Sequence, residues 1–112
     1  MLHRTLGPGL LERTYEACLA RELQLQRIQF EQQKRLSIIY KGITIDRGYR
    51  LDFLVEQKVV VEIKAIAQLL SIHDAQLLTY LKLGEYPVGL LLNFNVPILK
   101  EGIRRQVFRL QE

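Results

Sequence analysis

The stretch Tyr49-Arg50-Leu51-Asp52-Phe53-Leu54-Val55-Glu56-Gln57-Lys58-Val59-Val60-Val61-Glu62-Ile63-Lys64 decides the fold. It reads as two strands joined by a polar turn at Glu56, Gln57 and Lys58. Successive side chains of a strand point to opposite faces. Tyr49, Leu51, Phe53 and Val55 therefore share one face of the first strand, and Arg50, Asp52 and Leu54 the other. In the second strand Val59, Val61 and Ile63 alternate with Val60, Glu62 and Lys64. Residues two apart on one face are about 7 Å apart, and pairing through the short turn brings Asp52 near Glu62. Two carboxylates and one ammonium then converge at the end of an apolar hairpin. Carboxylates rarely sit inside a run such as Val-Val-Val-Glu-Ile unless they are paired or bind a metal. Magnesium suits the arrangement, as a hard cation that takes one or two carboxylates and keeps waters for a phosphate substrate. A structural salt bridge between Lys64 and one carboxylate fits the same residues.

Working outward, Leu6-Gly7-Pro8-Gly9 is a turn that breaks any earlier helix. Over residues 10–27, Leu11, Tyr15, Cys18, Leu19 and Leu23 recur at helical spacing, the stripe of an amphipathic helix lying on a sheet. Cys18 falls in that stripe as a small core residue. Residues 30–41 turn to strand composition, with Leu36, Ile38 and Tyr40 on one face. Lys41-Gly42 makes a two-residue hairpin turn, Ile43-Thr44-Ile45 resumes the strand, and Asp46-Arg47-Gly48 bends it. The expectation is an antiparallel meander with the acids near its last hairpin.

Beyond Lys64, Ser71 is a candidate cap for a second helix. There His73, Gln76 and Tyr80 line one polar face, while Ala75, Leu78 and Leu81 pack on another. His73 has two readings, a phosphate contact or a solvated helix-start residue. Gly84-Glu85-Tyr86-Pro87 ends the helix. Residues 88–92 are a nearly continuous apolar run, a strand buried on both faces that lies parallel to an earlier one after the helical crossover. Asn93-Phe94-Asn95-Val96-Pro97 is a loop, and residues 102–110 form a final edge segment. Its Arg104, Arg105 and Arg109 form either a solvated face or a set of phosphate contacts.

These residues resemble something specific. Asp52, followed ten positions later by Glu62-Ile63-Lys64, is similar to the catalytic signature of the PD-(D/E)XK nuclease superfamily. Gln76-Leu77-Leu78-Thr79-Tyr80 resembles the Gln-x-x-x-Tyr helix motif of its RecB-like exonuclease branch. Gly9-Leu10-Leu11-Glu12-Arg13-Thr14-Tyr15 matches the motif that names the GxxExxY protein family, which is grouped with those nucleases. The similarity continues through Leu90-Leu91-Leu92-Asn93-Phe94 and Gly102-Ile103-Arg104-Arg105, and so covers nearly the whole chain. Leu51 stands where the superfamily's proline would precede the Asp, a position that commonly varies. Relatives usually carry another turn or more of helix before Leu6, so a shortened first helix is expected here.

The resemblance implies an α/β fold with a restriction-endonuclease-like α-β-β-β-α-β core, a mixed central sheet flanked by helices. It implies divalent-metal-dependent hydrolysis of nucleic-acid phosphodiester bonds, DNA or RNA, with Mg2+ or Mn2+. Asp52, Glu62, the Ile63 carbonyl and Glu12 would be the metal ligands, and Lys64, Asp52, Glu62, Gln76 and Tyr80 the catalytic set. Glu12 has a second reading, as an acid that stabilises the helix N-terminus. The rival to hydrolysis is a non-catalytic nucleic-acid-binding or assembly module on the same fold. A homodimer or a larger nuclease complex would supply the grip that so small a domain lacks.

Composition agrees with a single domain over residues 1–112, since a core of this size leaves no room for two. A net charge of +4 favours an anionic partner. One cysteine excludes an intramolecular disulfide. No apolar run approaches the roughly 18 residues of a membrane span and no signal-peptide pattern opens the chain, so a cytoplasmic location is expected.

Overall fold

The computed structural model describes residues 11–46, 48–97 and 99–109. In chain order these form helix α1 (Glu12–Leu25), strands β1 (Phe30–Arg35), β2 (Ile38–Tyr40), β3 (Ile43–Ile45), β4 (Arg50–Val55) and β5 (Val59–Lys64), and helix α2 (Ser71–Gly84). Strand β6 (Val88–Asn93), a short 3-10 turn (Leu99–Gly102) and strand β7 (Ile103–Val107) complete them. The turn expected at residues 6–9, Gly9 of the first motif, and Arg47 of the bend lie outside the described residues.

One five-stranded sheet, ordered β1-β4-β5-β6-β7, carries the fold. Only β5 and β6 run parallel, a pairing that requires a long crossover such as the helix between them. The α/β architecture with a mixed central sheet flanked by helices is thus present. Each face of the sheet has its own core. Tyr15 and Ala20 of α1 cover Phe53, Val61 and Ile63 on one side, with Tyr15 stacked on Phe94 at 4.6 Å. On the other, Leu77, Tyr80 and Leu81 of α2 cover Leu51, Leu54, Val60 and Leu91. Central strands buried on both faces explain the apolar runs in β5 and β6. Among the described residues no helix is long and apolar enough to cross a membrane.

Several details differ from expectation. The meander is interrupted: β1 pairs with β4, and β2 and β3 form a separate two-stranded sheet between them. Lys41-Gly42 does make its turn, with φ of 48° and 82°, the positive values that a primed hairpin turn requires. Leu36 is buried, but Tyr40, assigned to the same face, is exposed, because the chain leaves the main sheet at Ser37. Cys18 is only half-buried and belongs to neither core; Ala20 takes the buried position. Ser71 is the first helical residue, with Leu70 before it at the cap. His73 Nδ1 accepts the Leu70 N–H at 2.9 Å, the bond by which a third-position side chain reaches back to the cap residue. α2 ends on Glu85 in the left-handed region, φ 58°, whose N–H reaches the Leu81 carbonyl.

Candidate functional site

β4 and β5 pair regularly from Val55 and Val59 to Phe53 and Val61, and there the ladder stops. One step further, the Asp52 N–H donates to Glu62 Oε2 at 2.8 Å, and the Ile63 N–H donates to Asp52 Oδ2 at 2.7 Å. Each carboxylate therefore stands in for a backbone carbonyl, and the two strands part around the pair. The other flank of β4 is irregular at the same residue. β1 and β4 pair on either side of Asp52 but not at it. Gln33 opposite takes φ 53°, a conformation uncommon for residues other than glycine.

This break changes the parity of β4. Strict alternation would put Leu51 with Phe53, yet Leu51 packs with Leu54 and Val60 beneath α2, and Phe53 packs on the α1 side. A strand that loses its ladder bonds on both sides at one residue is free to rotate there.

Electrostatics at the break are severe. Glu62 is 7% exposed; burial, and then the neighbouring Asp52 carboxylate, push its pKa up to about 8, against the Asp52 N–H bond and the Lys64 charge. The Asp52 carboxyl is also raised, by burial first and by Glu16, against the Ile63 N–H, Lys64 and Gln33. The raised values reflect a buried pair that resists carrying two charges. Two hard oxygen donors in that condition fit a divalent cation, whose charge would remove the repulsion. Lys64 lies near enough to favour both ionised acids. Its ammonium is not within ion-pair distance of either: the salt bridges among the described residues involve Lys34, Arg35 and Arg104.

Most of the remaining expected residues lie on other elements, and they have partners of their own or are exposed. Glu12 is exposed and accepts the Ala65 N–H at 3.3 Å, one residue past Lys64. Among the described residues no three Asp, Glu, His or Cys side chains are assembled to hold one ion. The Ile63 N–H is the one spent on Asp52. Gln76 is exposed and its Nε2 donates to the Tyr80 hydroxyl at 3.0 Å. Tyr80 is not on a polar stripe but 8% exposed within the α2 core, its ring edge against Tyr49 at 6.4 Å. Burial and then the Glu62 charge raise its pKa. His73 is occupied as a helix cap. Arg104 pairs with Asp74 and also donates to the Leu69 carbonyl, so it fastens β7 to α2; Arg105 and Arg109 are exposed.

Three residues escaped the sequence reading. Glu16, one turn beyond Glu12 on the same helix face, accepts from Gln33 Nε2 at 2.6 Å, and the same amide reaches Asp52 Oδ1 at 3.3 Å. Glu16 and Gln33 thereby connect α1 and β1 to the acid pair. The spacing from Glu12 could have disclosed Glu16; a glutamine in a polar edge strand gives no such signal. Asn93, read as a loop residue, ends β6 at 1% exposure. Its side chain accepts the Ile66 N–H at 3.1 Å and donates to the Ile66 carbonyl at 3.0 Å. With the Phe94 N–H donating to the Lys64 carbonyl at 2.9 Å, it fixes the path of the chain leaving β5.

Comparison with known proteins gives one match. A family model described as the PD-(D/E)XK nuclease superfamily aligns with residues 1–106. No curated protein and no solved structure matches the chain significantly.

Proposed function

Because the chain belongs to the PD-(D/E)XK nuclease superfamily, we propose that it hydrolyses nucleic-acid phosphodiester bonds with a divalent metal ion, magnesium or manganese. The observation that carries this reading is the reciprocal pair of Asp52 and Glu62 carboxylates, each accepting a backbone N–H from the other strand. Within the superfamily, Glu12 and Tyr15 with Gly9 favour the GxxExxY group, and Gln76 with Tyr80 the RecB-like branch.

Asp52 and Glu62 would hold the ion, with the Ile63 carbonyl and Glu12 as further oxygen donors. Bound there, it supplies a water of lowered pKa and a positive charge against the phosphate. The protein's own part is placement and charge. The two backbone N–H bonds fix the acids, so neither carboxylate has to reorganise during reaction. Lys64, which has no ion-pair partner among the described residues, orients the attacking water or neutralises negative charge developing on the phosphoryl oxygens. The Tyr80 hydroxyl accepts from Gln76 and so keeps its own proton to donate toward water or the scissile strand.

The test is Lys64→Ala, assayed for magnesium- and manganese-dependent cleavage of labelled DNA and RNA, with ion uptake followed by calorimetry. Loss of cleavage with retained uptake and folding is expected. Cleavage equal to wild type would remove the role given to Lys64. Ion uptake unchanged in Asp52→Ala would refute the metal site and leave the binding-module alternative.

A further inference from the structure

The β2–β3 hairpin serves neither core. It carries five apolar residues, Ile38, Ile39, Tyr40, Ile43 and Ile45, and none joins the cluster on either face of the sheet. Ile39 is 76% exposed, Ile43 65% and Tyr40 59%. Among the described residues, β2 and β3 pack extensively only against each other. A lone two-stranded ribbon is at best marginally stable in water and needs a packing surface, so an apolar one held clear of its domain is made for something outside it.

Charge says what that something is. The segment from Arg35 to Arg50 contains four cations, Arg35, Lys41, Arg47 and Arg50, and one acid, Asp46. It therefore holds three of the chain's four net positive charges in 16 of 112 residues, and the rest is nearly balanced. Arg35 is neutralised by Asp46 at 2.9 Å, an ion pair that closes the base of the hairpin. Lys41 and Arg50 have no acid within ion-pair distance among the described residues. Lys41 lies over the Tyr40 ring at 5.3 Å, so the tip presents an aromatic face and a cation together.

Position completes the argument. The hairpin runs directly into β4, with Asp52 two residues past Arg50, and Tyr49 at its root packs edge-to-face with Tyr80 of α2. We infer that the β2–β3 hairpin is the nucleic-acid docking element of this domain. Lys41 and Arg50 take backbone phosphates, and Tyr40, Ile39 and Ile43 pack on bases unstacked or unpaired next to the phosphodiester presented to the Asp52–Glu62 site. Cations supply affinity without sequence preference, whereas apolar and aromatic side chains need exposed base faces. The hairpin consequently favours single strands and duplex ends or forks over continuous duplex. This assignment rests on the nuclease reading and adds to it the class of substrate.

The test separates binding from chemistry. Fluorescent single-stranded, forked and fully duplex oligonucleotides are titrated in EDTA against wild type, Tyr40→Ala/Ile43→Ser and Lys41→Glu, with cleavage and calorimetric ion uptake measured in parallel. All altered side chains are exposed, and thermal melting verifies that the variants fold. Wild type should prefer the single strand or fork. The double variant should lose at least tenfold in affinity for these substrates and little for continuous duplex. Lys41→Glu should weaken all of them and lower the salt slope by roughly 0.7–0.9 per lost phosphate contact. Ion uptake should not move. Unchanged affinity in both variants overturns the docking role and leaves the hydrolase reading standing. A wild-type dimer that the double variant converts to monomer, with nucleic-acid affinity intact, assigns the hairpin to self-association instead. Failure of wild type to bind or cleave any of the oligonucleotides removes both readings.

Discussion

Replacing Glu62 by glutamine isolates the energetic consequence of the buried acid pair. The amide is nearly the same size, and its oxygen can still accept the Asp52 N–H that Glu62 Oε2 accepts at 2.8 Å. What disappears is the carboxyl proton. In the folded protein the pKa of Glu62 rises from 4.5 to about 8, and the free-energy equivalent is about 5 kcal/mol for the pair as a unit. The sign follows from which state holds the proton. Below about pH 4.5 the carboxyl is protonated in both states and the contribution to stability is complete. Between there and about pH 8 the unfolded chain ionises while the folded one resists, so stability falls as pH rises. Above pH 8 both are ionised and the loss is complete. Asp52, raised in the same direction, belongs to the same coupled titration. Urea unfolding of wild type and Glu62→Gln at pH 5, 7 and 9, at constant ionic strength, should show the variant gaining on wild type by several kcal/mol across the series. Magnesium at a hundred times its dissociation constant should restore about 2.7 kcal/mol to wild type at pH 9, and far less to the variant. Parallel stability profiles for the two proteins would show that Glu62 is neither desolvated nor repelled as the geometry requires.

Three further substitutions probe the surroundings. Asn93→Ala strips the Ile66 N–H and carbonyl of their partners and should cost about 2–4 kcal/mol in denaturant unfolding, each buried orphan contributing about 1–3; a loss below 1 kcal/mol would mean that water replaces the amide. Tyr80→Phe removes the acceptor of Gln76 and should cost only about 0.5–1.5 kcal/mol of stability, while lowering the cleavage rate at saturating substrate by at least tenfold. An unchanged rate would make Tyr80 a core residue alone. Gly102→Ala forces a methyl group against the Asn93 carbonyl oxygen and carbon, and should destabilise by about 1–3 kcal/mol, as overpacking does, read as a lower melting temperature.

The sequence disclosed the elements that obey a period. The apolar run of β6 and its parallel partnership with β5 were legible because a strand buried on both faces has only one composition available to it. The Lys41-Gly42 turn was legible because few residue pairs tolerate two positive φ values. What stayed hidden was pairing over distance. Nothing in Phe30-Glu31-Gln32-Gln33-Lys34-Arg35 says that its partner lies beyond an inserted hairpin, since a polar edge strand looks alike wherever it docks. Ser71 was a reasonable cap by type, but the helix starts one residue earlier than a Ser71 cap requires, with Leu70 at the cap and the Leu70 N–H taken by His73.

The site itself shows a different limit. Glu62 and Lys64 could be read because an acid in a valine run demands a reason, and alternation correctly brought Asp52 toward them. Alternation then failed at Asp52, and it failed because of the site. A carboxylate can accept a neighbouring strand's N–H only where the backbone carbonyl has withdrawn, so the pair of acids and a regular ladder are mutually exclusive at that residue. The trace of this is present in β4, where Leu51 joins Leu54 in the core beneath α2 while Phe53, two residues on from Leu51, joins the opposite core, a division that no strand with one fixed parity produces. Buried positions that change phase across a single polar residue therefore mark where a sheet opens. In this chain that opening coincides with the only acid of β4, flanked by Gln33 in a left-handed conformation on one side and Glu62 on the other.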